Sequence, residues 1–332
     1  VSSIRSIPTV GHFFQMSAPI SQGSSGSPVV NMKGEVVGVA TFQFLQGQNL
    51  NFAVSGRSIS KLEAESGDLT LSEWTYKNAA DKSQLTAELC QKGYSFSING
   101  EDQKALQYFQ KATETDPNDP LAWNGLGYCH AGLKNHDAAI AAYQQAIKTN
   151  PADETAYFNL GNYYVELGRF TEAVESYKSV IRIKPELASA HFKLGLAYTR
   201  LGLFEKGMQA FNSVIELEPG AAPAHFNAGL AYGELGRYQE AIDAHQNVIL
   251  LRPEFAPAYF NMGLAYGKLG QQANEMEAFT KAIQIDPEYA PAHYQMGLVM
   301  LRKGNRPAAM DEYKMLKDLD NDLAKKLFEK IY

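Results

Sequence analysis

Residues 120–153 read PLAWNGLGYCHAGLKNHDAAIAAYQQAIKTNPAD, and residues 154–187, directly after them, read ETAYFNLGNYYVELGRFTEAVESYKSVIRIKPEL. Laid over each other without a gap, the two blocks match at Gly127 and Gly161, Ala139 and Ala173, Tyr143 and Tyr177, and Pro151 and Pro185. The rows extend in both directions at the same spacing. Glycine recurs at Gly93, Gly195, Gly229, Gly263 and Gly297, and proline at Pro117, Pro219, Pro253 and Pro287. The aromatic row adds Phe109, Phe211, Phe279 and Tyr313, with His245 as its odd member. The alanine row adds Ala105, Ala241 and Ala309 and is broken by Gly207 and Glu275. Self-similarity at a 34-residue period is the mark of a repeat architecture.

Each row has a physical reason. Leu160, Tyr164 and Leu167 fall on one face of a helix, and a second glycine row (Gly100, Gly168, Gly202, Gly236, Gly270, Gly304) supplies the left-handed residue that stops it. A second amphipathic stretch, for example Phe170 to Ile183, ends at Pro185, and Pro223, Pro257 and Pro291 sit where the first turn of the next helix needs no N–H. The first glycine row lies mid-helix, where glycine costs ~1 kcal/mol against alanine. Close approach of the paired helix opposite the Ala173-type residue is the expected compensation. Each unit therefore reads as a helix–turn–helix hairpin.

The pattern resembles the tetratricopeptide repeat (TPR), best matched by Trp123, Leu126, Gly127, Ala139, Tyr143, Ala146 and Pro151, with His130 off pattern. The resemblance implies seven repeats, at 86–119, 120–153, 154–187, 188–221, 222–255, 256–289 and 290–323, closed by a capping helix at 324–332 whose polar face ends the solenoid. Residues 67–85 read as a linker. The fold class is thus mainly α, a seven-repeat solenoid, preceded by a small all-β segment.

Such a solenoid implies a protein or an extended peptide as partner, held on a concave surface lined by the first helix of each repeat. Fifth positions there read Asn124, Phe158, Phe192, Phe226, Phe260 and Tyr294, and sixth positions Gly125, Asn159, Lys193, Asn227, Asn261 and Gln295. An asparagine amide both donates and accepts, so Asn159, Asn227 and Asn261 are candidates to grip a peptide backbone. Phe158, Phe192, Phe226 and Phe260, with a leucine wall (Leu196, Leu230, Leu264), would flank it. Lys193 lacks the basic neighbours that a carboxylate clamp requires. His191, His225 and His293 recur at the fourth repeat position on separate units, so they do not converge on a metal. No cofactor or metal is expected.

Composition narrows the function. A net charge of −6 argues against a nucleic-acid partner bound through phosphate neutralisation. Cys90 and Cys129 are too few for a disulfide framework, and no apolar run reaches the length of a membrane span. The chain starts at Val1, not Met, and reads as a fragment or processed product of a longer protein.

Before residue 67 the texture changes to β-branched alternation. Strands are predicted over Val1–Ser6, His12–Ser17, Pro28–Met32, Val36–Phe44 and Leu50–Val54, with a short helix over Ser58–Ser66. Within them lie Ile20-Ser21-Gln22-Gly23-Ser24-Ser25-Gly26-Ser27-Pro28, then Val29-Val30-Asn31, Gly34-Glu35-Val36-Val37-Gly38-Val39 and Asn51-Phe52-Ala53-Val54. This segment resembles the nucleophile half of trypsin-fold serine peptidases of the HtrA-like branch, so that 1–66 would be the C-terminal part of such a barrel. The resemblance implies Ser25 as nucleophile and the N–H groups of Gly23 and Ser25 as oxyanion hole. It implies Thr41, Phe42 and Gln43 as the strand that pairs with substrate, and export to a periplasm or similar compartment. Ser27 departs from the family's second glycine. In this family the triad histidine and aspartate precede the serine. Only Val1 to Ser24 do so here, and His12 does not match the base. The fragment is therefore expected to be inert as a peptidase. The sequence reading is a peptide-binding TPR scaffold attached to a serine endopeptidase domain; the alternative is a pure interaction scaffold with a vestigial barrel.

Overall fold

The computed structural model describes the backbone of 3–7, 11–16, 28–30, 36–45, 48–55 and 71–332, and side chains from Ala80 onward. It divides into two compact units, Val1–Glu88 and Leu89–Tyr332. The helix predicted over Ser58–Ser66 and the segment around Ser25 lie outside the described residues.

In the first unit the described strands are β1 (Ser3–Ile7), β2 (Gly11–Met16), β3 (Pro28–Val30), β4 (Val36–Leu45) and β5 (Gln48–Ser55). They pair antiparallel in the order β1-β2-β5-β4-β3. Such a ladder occurs in many β folds, and nothing in it singles out a trypsin-like barrel. After it, one helix, α1, runs Leu71–Ile98. Residues 71–85, read from sequence as linker, are thus helical. Their polar texture suggests a connector, but no glycine or proline interrupts 71–92, so nothing stops the helix before the first repeat.

The second unit is an all-helical solenoid. The second helix of each pair starts at 34-residue intervals: α2 (Asp102–Thr115), α4 (His136–Thr149), α6 (Phe170–Ile183), α8 (Phe204–Leu217), α10 (Tyr238–Leu251), α12 (Gln272–Ile285) and α14 (Arg306–Leu319). The first helices after α1 keep the same step: α3 (Pro120–Gly132), α5 (Glu154–Glu166), α7 (Ala188–Arg200), α9 (Ala222–Glu234), α11 (Ala256–Lys268) and α13 (Ala290–Arg302). A final helix, α15 (Asn321–Ile331), starts ahead of the expected cap boundary at 324. Asp320 accepts from the Asp322 and Leu323 amides, both at 3.0 Å, and caps the helix there.

The turns follow the second glycine row. Gly100, Gly168, Gly202, Gly236, Gly270 and Gly304 all have φ between +71° and +75°. The 120–153 repeat lacks that glycine, and Lys134 takes the left-handed conformation at φ 59°, at a steric cost glycine avoids.

What compensates the mid-helix glycines differs from the sequence reading. The residue filling the space at Gly161 is the ring of Tyr177, 2.8 Å from where a Cβ would stand, and not the Ala173 methyl. The same arrangement holds Phe109 on Gly93, Tyr143 on Gly127, Phe211 on Gly195, His245 on Gly229 and Phe279 on Gly263. Each glycine is a socket for the ring of the following helix, so its propensity cost is offset by close packing. In the last repeat the socket is filled from outside: Leu327 of α15 lies 2.5 Å from the Cβ position of Gly297, while Tyr313 packs on Phe328.

The fourth repeat position forms a joint between units. Trp123 Nε1 donates to the Pro117 carbonyl at 2.7 Å. His191, His225 and His293 place Nε2 at 2.7, 2.9 and 2.9 Å from the carbonyls of Pro185, Pro219 and Pro287. A carbonyl can only accept, so each Nε2 carries the proton. These rings therefore tie the first helix of one unit to the proline turn of the unit before. His293 also sets Nδ1 2.6 Å from Glu312 Oε2, and that hydrogen bond raises its pKa.

The break in the alanine row at Glu275 is accommodated by glycine as well. Glu275, 5 % exposed, lies over Gly267, which has no Cβ to obstruct it, and pairs with Arg302 of the following unit at 2.5 Å.

Candidate functional site

The sixth-position asparagines sit half-buried on the first helices of their units. Asn227 Nδ2 donates to the Pro223 carbonyl (2.8 Å) and Asn261 Nδ2 to the Pro257 carbonyl (2.7 Å), each one turn back on its own helix. Asn159 Nδ2 donates to Oδ1 of Asn124 (3.0 Å) on the neighbouring unit. One amide N–H of each is thus occupied, and Oδ1 with the second N–H is what the side chain can offer a ligand.

The fifth-position phenylalanines are turned to packing. Phe158 meets Tyr177 with ring centroids 5.8 Å apart, and Phe192 meets Phe211 at 5.6 Å. Phe226 lies between His245 and Phe255, at 5.4 and 5.3 Å, and Phe260 between Phe279 and Tyr289, at 5.8 and 5.4 Å. They brace the ring row of their own unit, and Phe226 and Phe260 also close the turn that leads onward. The structure places them beside the asparagines but commits much of their surface to neighbouring rings.

The asparagines fall in separate concavities. Asn261, with Leu230, Leu264 and Lys268, lines a gap of about 190 Å³ whose inner wall is His245. Asn227, with Phe226, Phe255 and Arg252, lines a smaller one of about 120 Å³. Asn159 lines a third, of about 270 Å³, with Tyr128, Tyr143, Tyr163, Asp102 and Glu166. Of the leucine wall, Leu230 and Leu264 come together at the His245 gap.

Among the described residues, the buried side-chain nitrogen without a hydrogen-bond partner is Nδ1 of His245. The ring is 1 % exposed, and desolvation lowers its pKa to about 4, so it is neutral at pH 7. Cys90 and Cys129 are buried, and desolvation pushes both thiols up to about 12; neither is a thiolate near neutrality. No group of three or more metal-ligating side chains forms among the described residues, and no described helix is long and apolar enough to cross a membrane.

Tyr128, Asp102 and Glu166 stand out in none of the conspicuous rows. The available signal is the ninth repeat position, which reads Tyr94, Tyr128, Asn162, Leu196, Leu230, Leu264 and Leu298: three members with a polar group precede a run of leucines. Thr41, Phe42 and Gln43 lie on β4, paired with Phe52, Asn51 and Leu50 of β5. Ser25 and Gly23 lie outside the described residues.

Family models for the tetratricopeptide repeat match residues 93–154, 142–175, 161–202 with 229–270, and 188–220 with 256–289. The matched residues begin at 93, so they lend the peptidase resemblance of segment 1–66 no support. No curated protein matches the chain. Among solved structures, the C-terminal part of a TPR repeat-containing protein from Cytophaga hutchinsonii is 16% identical at a TM-score of 0.64, covering 73% of this chain and 99% of that one. A tetratricopeptide repeat protein from Parabacteroides merdae is 21% identical at a TM-score of 0.51, covering 75% and 99%. YrrB, described as a TPR protein with an unusual peptide-binding site, is 24% identical at a TM-score of 0.51, covering 55% and 95%. At these identities the likeness speaks to the fold. With four family models falling on the helical repeats, the helical array belongs to the tetratricopeptide-repeat family.

Proposed function

We propose that the array is a scaffold that binds an extended peptide or protein segment along the first helices of its units. The observation that carries this reading is the recurrence of Asn159, Asn227 and Asn261 at one repeat position, each half-buried, each lining a concavity, each with an amide oxygen to offer. Amides that recur at one repeat position, interrupted at Lys193, suit a ligand that is itself regular, which a peptide backbone is. The similar fold of YrrB, with its peptide-binding site, is in keeping with this. The chain's net acidity favours partners of neutral or basic character.

The test uses peptides enriched from a random library on the wild-type chain. Replacing Asn227 and Asn261 by alanine removes two hydrogen bonds worth ~0.5–1.5 kcal/mol each, so affinity should fall by about 1–3 kcal/mol, roughly five- to 150-fold. The loss should be similar for peptides of unrelated sequence. Unchanged affinity, with helicity intact by circular dichroism, would move the site elsewhere on the solenoid.

A second reading attaches to the first unit. β3 meets β4 only as far as Val39, opposite Pro28. Among the described residues, Thr41, Phe42 and Gln43 are therefore paired on the β5 side alone. In the HtrA-like resemblance this is the strand that an extended substrate joins, Ser25 attacks, Gly23 helps hold the oxyanion, and the helical array presents substrate. A fluorophosphonate should then label Ser25 once a chain supplying the triad histidine and aspartate is joined ahead of Val1, and Ser25→Ala should abolish the label. Absence of labelling in that joined chain would leave the first unit as a non-catalytic remnant of an interaction scaffold.

A further inference from the structure

The concavities at Asn227 and at Asn261 each hold a cation of the protein's own, Arg252 in one and Lys268 in the other; the concavity at Asn159 is different. Its walls come from four helices: Asp102 opens α2, Tyr128 lies on α3, Tyr143 on α4, and Asn159, Tyr163 and Glu166 on α5. The gap holds about 270 Å³, and no lysine, arginine or histidine lines it. Two carboxylates and the exposed Tyr128 ring therefore share one space, lined on its inner side by the buried Tyr143 and Tyr163. Among the described residues neither Asp102 nor Glu166 forms an ion pair.

The arrangement is built rather than incidental. Gly132 has no Cβ, and one placed there would stand 2.6 Å from Asp102 Oδ2, so this glycine is what lets the carboxylate lie against α3. Tyr163 is fixed from behind by its hydroxyl's 2.7 Å hydrogen bond with His136 Nδ1. The Tyr143 and Tyr163 rings stand 6.3 Å apart at 58°, forming two sides of a corner. Tyr128, 56 % exposed, stands at the mouth. Desolvation raises the pKa values of both inner phenols, and Glu166 is close enough to raise them further.

We propose that this concavity is a recognition pocket for a guanidinium group, an arginine side chain of the bound partner. An aromatic face attracts a cation, and planar guanidinium stacks on a ring better than an ammonium does; Tyr128 offers such a face, while Tyr143 and Tyr163, 2 % and 4 % exposed, form the inner wall. The same group donates in a fork to carboxylates, so Asp102 and Glu166 can be satisfied by one side chain. Asn159 at the pocket's edge places a backbone-reading amide beside the cation pocket, which is how a single residue of an extended chain would be read twice. The proposal deepens the peptide reading and rests on it for the chain that carries the arginine.

The test separates the two. The probe is Nα-acetyl-L-arginine amide, titrated into the full chain and followed by the backbone amide of Gly132 and the side-chain amides of Asn159 and Asn162; its uncharged twin is Nα-acetyl-L-citrulline amide. The arginine probe should give saturable shifts at these three positions, and citrulline should bind at least tenfold more weakly. Asp102→Asn with Glu166→Gln should weaken the arginine probe at least tenfold, as should Tyr128→Ala, which changes an exposed ring and leaves the fold in place. Raising ionic strength from roughly 0.05 to roughly 0.5 M should weaken it severalfold. Equal shifts from both probes, or shifts indifferent to the carboxylate variants, would overturn the pocket. Binding of the arginine probe together with peptide affinity unaffected by the Asn227 and Asn261 substitutions would leave the pocket standing and overturn the asparagine row alone.

Discussion

Replacing Phe211 by alanine should lower the stability of the helical array by about 3–5 kcal/mol, the range for removing a large aromatic from a closed core. Phe211 is fully buried, seated on Gly195 with its ring 2.6 Å from the Cβ position and braced by Phe192 at 5.6 Å. The cavity cannot collapse, because the glycine that makes the socket offers no side chain to fill it. A repeat array couples neighbours only, so the loss at this central unit should also reduce cooperativity: urea unfolding followed by circular dichroism should broaden as well as shift. A midpoint change worth under ~1 kcal/mol, with an unchanged slope, would show that the rings do not hold the units together.

Acid should destabilise the array through His245, and His245→Phe should remove much of that loss. Burial sets the folded pKa at about 4, against 6.5 for the free side chain. The unfolded chain therefore binds this proton more readily than the folded one. The penalty is absent above pH ~6.5, grows as pH falls through that window, and is complete below about 4, where it amounts to ~3 kcal/mol. Phenylalanine at 245 restores the aromatic row and removes the unpartnered Nδ1, so at pH 7 the variant should already be more stable by about 1–3 kcal/mol. Other groups titrate in the same range, so the decisive quantity is the difference between wild type and variant in urea midpoint at pH 7 and pH 4.5. That difference should widen in acid. A constant difference would mean that His245 finds a proton acceptor in solution.

The readable part of this protein is the part governed by local rules. Helix starts and stops at Gly168, Pro185 or Pro223 depend on backbone conformation within a few residues, and the 34-residue rows display them directly. What fills Gly161 is a different matter, since Tyr177 reaches it from another helix, and the sequence offers Ala173 as equally in phase. The phenylalanines at 158, 192, 226 and 260 look like a binding wall because their spacing matches the asparagines. The ring contacts to Tyr177, Phe211, Phe255 and Tyr289 add that, half-buried, they also brace the core. The pocket of Asp102 and Glu166 escapes a reading by rows because it draws on four helices of three successive units and no row repeats it. Ahead of the solenoid the legible element is a motif, Gly23 to Pro28, whose meaning depends on partners distant in the chain.

Leu327 has a consequence for how such a protein changes over time. It occupies the Gly297 socket from a helix outside the periodic rows, so closure of the array is a separate part from the units it closes. The plug meets the seventh unit and carries no record of how many units precede it. Unequal crossing-over between similar 34-residue blocks can therefore add or excise a unit upstream without reopening the end. Length can then change in whole steps, and the reach of the first-helix face with it, while the closing helix stays as it is.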